Sequence, residues 1–129
     1  MGISYRIIAF EDVRPIAGAI KKEGVTLANP PGAIWLGAWD GAQLVGVVCM
    51  VVNKAGTARF KSDFVLQSHR RRGIYAHLFR GRLKLAQQVG AKTATAFCGP
   101  MSLPTYLRHG FLPVSTNPKN GVVFVKKEL

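Results

Sequence analysis

A chain of 129 residues is long enough for one compact domain and too short for two, and 48% hydrophobic against 19% charged residues excludes a disordered chain. Eighteen Lys and Arg against six Asp and Glu leave a formal net charge of +12, a field that draws in polyanions: nucleic acid, phosphate-rich cofactors or an anionic surface. The longest apolar run, residues 44–52, is too short to cross a bilayer, the N-terminal residues lack a secretory-type apolar stretch, and Cys49 and Cys98 form no CxxC. The expected setting is therefore reduced and cytoplasmic, without a membrane.

In chain order, residues 3–9 alternate apolar and polar side chains as a strand (Ile3, Tyr5, Ile7 against Ser4, Arg6). Residues 11–22 carry Val13, Ile16, Ala17 and Ile20 at helical spacing, with Glu11 and Asp12 in the first turn and Gly24 as a stop. Asn29-Pro30-Pro31-Gly32 is a loop. Residues 33–39 and 42–52 flank Asp40-Gly41, the signature of a two-residue hairpin turn. The second of these strands is apolar on both faces and so belongs at the centre of a doubly covered sheet.

After a turn at Asn53-Lys54-Ala55-Gly56, residues 57–66 form the next strand and residues 73–89 the clearest helix of the chain. Tyr75, Leu78, Phe79, Leu83, Ala86 and Val89 line one side of it; His77, Arg80, Lys84, Gln87 and Gln88 line the other. Residues 92–98 return as a strand, parallel to the one before the helix. Ser102-Leu103-Pro104 begins a short helix ended by Gly110, and residues 111–114 and 121–126 close the chain as two strands. The pattern predicts a single α/β domain over residues 1–129, with a mixed sheet of about six to seven strands and flanking helices.

Between the fourth strand and the long helix lies Gln67-Ser68-His69-Arg70-Arg71-Arg72-Gly73-Ile74-Tyr75. A strand that passes through a basic, glycine-containing turn into a helix N-terminus offers an anion unpaired amides, a favourable dipole and full positive charge. Three arginines at a helix start are disfavoured unless an anion joins them. Neither GxxxxGK[ST] nor GxGxxG is present. The segment resembles the acyl-CoA pyrophosphate loop of the GNAT superfamily of N-acetyltransferases, which reads Arg or Gln, two residues, Gly, one residue, then Gly or Ala. Arg70, Gly73 and Tyr75 occupy those positions, and only Tyr75 departs from the pattern. Its amide donates as a glycine's would, and its ring falls on the helix side that faces the sheet.

A second segment, Tyr106-Leu107-Arg108-His109-Gly110-Phe111, resembles the family's Tyr-x-x-x-Gly-Phe, and the order of elements agrees along nearly the whole chain. The stretch between Gly24 and Ala33 is shorter than the family's usual second helix, and Gly99 stands near the place of a frequent Asn. The resemblance implies acetyl-CoA as co-substrate, held by Val65, Leu66, Gln67, Arg70, Arg71, Arg72, Gly73, Ile74, Tyr75 and Ala76. It also implies a backbone amide at Val65 or Leu66 polarising the thioester, and Tyr106 as general acid for the departing thiolate.

Amine acylation further needs a neutral amine. Asp63, Glu23 and the three histidines are the candidate bases, with His69 beside the loop and His109 near Tyr106 able to act through a water. Asp63 is the most informative, because a carboxylate inside a core strand must be paired or used. Arg82, in the middle of the apolar arc of its helix, has the same need. An Asp63–Arg82 ion pair and a catalytic Asp63 are both open on the sequence. Cys98 is read as a buried thiol rather than a nucleophile, no histidine pair has ligand spacing, and the basic face of Arg80, Lys84 and His77 is open to nucleic acid or to solvent alone. The reading is an acetyl-CoA-dependent N-acyltransferase. Its acceptor is a small-molecule amine, or an amine on a nucleotide, modified nucleobase or nucleic acid, and monomer and homodimer are both open. The alternative is a module of this fold that binds acyl-CoA or nucleic acid without catalysis.

Overall fold

The computed structural model describes residues 2–129. The chain runs β1 (Ser4–Ile8), a 3-10 helix (Phe10–Ile16), α1 (Ala17–Lys22), β2 (Ala33–Asp40), β3 (Gln43–Val52), β4 (Thr57–Val65), a 3-10 turn (Gln67–His69), α2 (Ile74–Gln88), β5 (Thr93–Cys98), α3 (Leu103–Arg108), β6 (Leu112–Thr116) and β7 (Val123–Glu128). The strands form one mixed seven-stranded sheet in the order β1-β2-β3-β4-β5-β7-β6, so the α/β expectation holds. Only β4 and β5 run parallel, joined by the crossover through α2.

β3 is buried from Leu44 to Met50, as its two-sided apolar pattern requires. On one face Val13, Ile16 and Ile20 pack on Trp35, Val47, Cys49 and Phe64. On the other, Phe79 and Ala86 of α2 and Tyr106 of α3 join Phe60, Ala94, Ala96, Phe111 and Val125. The first helical segment differs from the sequence expectation. It is 3-10 through Ile16 and α-helical only for Ala17–Lys22, because Pro15 has no N–H to give and crowds the preceding turn. The last two strands also begin later than their patterns suggest. Phe111 is a buried core residue whose N–H caps α3 on Tyr106 O at 3.1 Å, leaving Leu112 as the first strand residue.

Two irregularities set up the site. The β3–β4 register steps from Val47↔Phe64 to Cys49↔Lys61, so one residue of β3, Val48, faces two of β4, Ser62 and Asp63. The extra residue is Ser62, held at φ 60° with its hydroxyl donating to Thr26 O at 2.7 Å. The bulge resets the alternation of β4, so that Phe60 and Asp63 both face α2. Secondly, β4 pairs with β5 only through Phe60↔Ala96. Beyond that point the two strands part, and the edge of β4 leading into the 67–73 loop is unpaired on the β5 side.

Candidate active site

Val65 supplies the polar edge of this split. Leu66 N–H donates to Val45 O at 2.8 Å, and Gly46↔Val65 is a non-hydrogen-bonded pair, so both Val65 peptide groups point away from β3 toward the split. Of the two amides the resemblance leaves open, Val65 N–H faces the split and Leu66 N–H is consumed in the sheet. Val65 O accepts from Arg70 Nε at 2.8 Å.

The basic loop follows directly. Arg71 (φ 62°) and Gly73 (φ 80°) are both left-handed, a conformation natural for glycine and costly for arginine. Gly73 is the N-cap of α2 and no side chain caps the helix, so its first amides are open to an anion. The arginines divide. Arg71 and Arg72 are exposed, whereas the Arg70 Nη2 grips both Glu23 oxygens, at 2.7 and 2.6 Å. Arg70 is thus a strut between the loop and the end of α1, and Glu23, a candidate base, is its counter-ion. Behind the loop, Ser68 Oγ lies 2.7 Å from His69 Nδ1, and His69 Nε2 donates to Asp40 at 2.9 Å, pinning the loop to the β2–β3 turn. That hydrogen bond holds the Asp40 carboxyl below its ordinary range. Gln67 is exposed, Ile74 is buried in the core and Ala76 is half-buried one turn into the helix.

Beneath the split lies a charged cluster. Arg82, 1% exposed, donates from Nη1 to Asp63 Oδ1 at 2.6 Å and from Nη2 to Oδ2 at 2.8 Å. Tyr106 OH donates to Asp63 Oδ2 at 2.8 Å and accepts from Arg82 Nη2 at 3.0 Å. Tyr75 OH donates to the same Oδ2 at 2.5 Å. Arg82 further donates to Cys49 O at 3.1 Å and lies 4.1 Å over the Phe60 ring, while its Nε has no partner among the described residues. Burial works against the Arg82 charge, but the facing carboxylate outweighs it and keeps the guanidinium protonated. Burial raises the Tyr106 phenol well above its ordinary value; Arg82 opposes this and Asp63 adds to it. Tyr75 is raised by the same burial and the same carboxylate.

The sequence left Asp63 open between base and ion-pair partner, and the pair forms, bidentate and with both oxygens occupied. The structure brings Asp63, Tyr75 and Tyr106 together and gives His69 and His109 other partners: His69 is bound to Asp40, and His109 Nδ1 donates to Thr105 O at 2.7 Å while its ring packs 4.5 Å from Phe79. Burial pushes the Cys98 thiol up to about 11, so it is not a ready nucleophile. Arg80 and Lys84 are exposed on the outer face of α2. The phenol of Tyr75 is the site feature that sequence reasoning missed; its helical phase pointed it at the sheet, but nothing in the sequence placed it on Asp63. Among the described residues no group of three His, Cys, Asp or Glu is placed to hold a metal, and no helix is long and apolar enough to cross a membrane.

A parallel pair that splits above a basic loop and a helix start defines an acyl-CoA-transferase type of fold, and the comparisons agree. The family model described as Acetyltransferase (GNAT) family matches residues 5–111. The chain belongs to the GNAT acetyltransferase family. No functionally curated protein sequence matches it significantly. Among solved structures, the PaiA N-acetyltransferase from Thermoplasma acidophilum, in complex with coenzyme A, is similar with a TM-score of 0.80 at 13% identity over 100% of both chains. A putative acyl-CoA N-acyltransferase from Klebsiella pneumoniae gives 0.78 at 18% identity, over 98% of this chain and 97% of that one. The N-acetylglutamate synthase from Neisseria gonorrhoeae, complexed with coenzyme A and N-acetyl-glutamate, gives 0.80 at 14% identity over 100% of this chain and 35% of that one. At such identities the likeness is one of fold.

Proposed function

We propose that this protein is an acetyl-CoA-dependent N-acyltransferase that moves the acyl group directly to a primary amine within a ternary complex. The carrying observation is the unpaired Val65 edge of β4 running into the open amides of α2 beside two exposed arginines. Two of the three similar structures described contain coenzyme A. Acyl-CoA would supply a thioester carbonyl and a thiolate leaving group. Arg71, Arg72 and the amides of Gly73, Ile74 and Tyr75 hold the pyrophosphate, with Gln67 and Ala76 lining the loop and the helix start. Val65 N–H polarises the carbonyl, since a fixed amide aimed at developing negative charge is among the strongest catalytic contributions a backbone makes. Tyr106 is the acid for the departing thiolate; its one proton is given to Asp63 Oδ2 at 2.8 Å at rest, so the hydroxyl must turn from Asp63 to sulfur as the thiolate leaves. Asp63 is a positioning residue: with both oxygens engaged by Arg82 and two phenols, it orients Tyr106 instead of deprotonating the amine. The net charge of +12 supports an acceptor that is anionic or bound to a polyanion, such as a nucleotide, a modified nucleobase or a nucleic-acid-associated amine.

The test is a screen of amines with acetyl-CoA that follows free-thiol release, with nucleotides and modified DNA included. Coenzyme A binding without thiol release on any acceptor would favour the non-catalytic module. The loop assignment is checked separately. Arg71→Ala and Arg72→Ala together should raise KM for acetyl-CoA by about tenfold or more with kcat little changed, because they remove charge from the pyrophosphate site only. Arg70→Ala should instead loosen the loop, lowering stability and acyl-CoA affinity together; an unchanged KM in the Arg71/Arg72 variant would overturn the assignment.

The pH profile follows from the raised Tyr106 pKa. A phenol held well above 10 stays protonated across the working range, so it keeps its proton to give. The rate should rise with pH as the acceptor amine loses its proton and should show no falling limb below about pH 10. A fall between about pH 7 and 9 in kcat would mean that some other, more acidic group supplies the proton.

A further inference from the structure

The helices cover one face of the sheet from β2 to β7, but the opposite face only over its N-terminal half. On β5, Ala94, Ala96 and Cys98 are buried under α2 and α3, so Thr95 and Phe97 project to the other side; on β7, buried Val125 sends Phe124 and Lys126 the same way. Arg59 of β4 stands opposite Thr95, and Phe97 opposite Phe124. Phe97 is 67% exposed, with its ring centroid 4.8 Å from that of Phe124. The two rings floor a shallow cavity of about 470 Å³, walled by Thr116, Asn117 and Asn120 of the β6–β7 turn. Asn117 and Asn120 use their carbonyl oxygens locally, accepting from Lys119 N and Val122 N at 2.9 Å each, so their amide N–H donors are unengaged. Arg59 is exposed and makes no ion pair or hydrogen bond among the described residues, while Lys126 reaches only the exposed Glu128, at 3.6 Å.

Phe97, the cavity's residue on β5, comes one residue past the last β4–β5 pair, Phe60↔Ala96, so the cavity borders the split on its β5 side. We infer that the Phe97–Phe124 floor and the free amide donors of the turn, together with Arg59, which stands outside the cavity's lining on the same sheet face and diagonal to Phe97, bind the acyl acceptor, and that the acceptor is an amine carrying a planar ring and an anionic group. The inference rests on the transferase reading and adds the acceptor's chemistry to it. Solvent-facing aromatic rings gain by stacking a planar group, and an unpaired arginine gains by meeting a carboxylate or phosphate. A second copy of the chain fits the face poorly. A twofold contact would set Arg59 and Lys126 against their own equivalents, and a chain with eighteen cations and six acids has little to offset them.

The experiment is calorimetric titration of the full-length protein with four probes: L-tryptophan (ring, carboxylate and amine), adenosine 5′-monophosphate (ring and phosphate), tryptamine (ring and amine only) and L-norleucine (carboxylate and amine only). L-tryptophan or adenosine 5′-monophosphate should bind at least about tenfold more tightly than tryptamine and norleucine, and the tighter of the two identifies the anion as carboxylate or phosphate. Phe97→Ala and Arg59→Gln should each weaken that probe by about tenfold; Phe97→Leu, which keeps apolar bulk but not stacking, should do nearly the same. Equal binding of all four probes, indifference to these variants, or a dimer in sedimentation that Phe97→Ala dissociates would overturn the inference, the last by putting a second copy on the face. Acetyl-CoA is titrated in parallel: if it fails to bind, the transferase reading falls independently of the probe result.

Discussion

Asp63→Ala should destabilise the protein by roughly 3–5 kcal/mol, the usual consequence of stranding one charge of a buried pair. Arg82 would keep its charge at 1% exposure with only backbone carbonyls and a phenol to face. Arg82→Ala should cost a similar amount, leaving Asp63 charged and opening a void beneath Phe60. The double substitution should recover much of the loss, because removing both ions also removes their desolvation penalty. Thermal or denaturant unfolding of the three variants measures this. Asp63→Asn separates structure from catalysis. The amide cannot neutralise Arg82, so stability should fall clearly. Wild-type stability with turnover alone reduced would show Asp63 to be the base after all.

The second large effect is expected at Tyr106. Tyr106→Phe keeps the ring against Phe79, 4.7 Å away, and deletes a hydroxyl that donates to Asp63 and accepts from Arg82. Turnover should fall by at least about tenfold, within the range of about 10²–10⁴ that general-acid catalysis spans, while KM for acetyl-CoA changes little. Stability should drop by about 1.5–3 kcal/mol, the range for hydrogen bonds to charged groups. The loss of turnover should shrink with acyl donors whose leaving thiol is more acidic, since such a thiolate needs less help. That dependence on the leaving group separates an acid from a strut. A variant that melts lower yet acetylates a confirmed acceptor at the wild-type rate would leave Tyr106 as a core residue only.

Much of this was legible from patterns of short range. Helical spacing placed α2 and put both Arg82 and the Tyr75 ring on its sheet-facing side, and the hairpin between β2 and β3 was legible, although its two turn residues are Gly41-Ala42, one later than the expected Asp40-Gly41, because Asp40 pairs with Gln43. Glycine at 73 was needed because the N-cap of α2 is left-handed. The need of Asp63 and Arg82 for a partner was visible too, since burial of an unpaired charge is costly whatever the fold. The boundaries that failed did so where one residue overrode the pattern: Pro15 turned a helix start into 3-10, and Phe111, apolar enough for a strand, went into the core beneath α3.

The amino-acid sequence by itself determined the order and type of the elements, the basic anion-ready turn at 70–73 and the α/β class, because these follow from spacing, turn chemistry and charge within a dozen residues. Tertiary structure alone decided how the site is wired. The bulge at Ser62 turned Asp63 toward Arg82, and the split after Phe60↔Ala96 opened the Val65 amide. Glu23 took up the Arg70 guanidinium, and Phe97 was left 67% exposed beside Phe124. Each of these depends on pairing between segments far apart in the chain, where a one-residue shift in register reverses the face of every side chain that follows, and no local pattern records that shift.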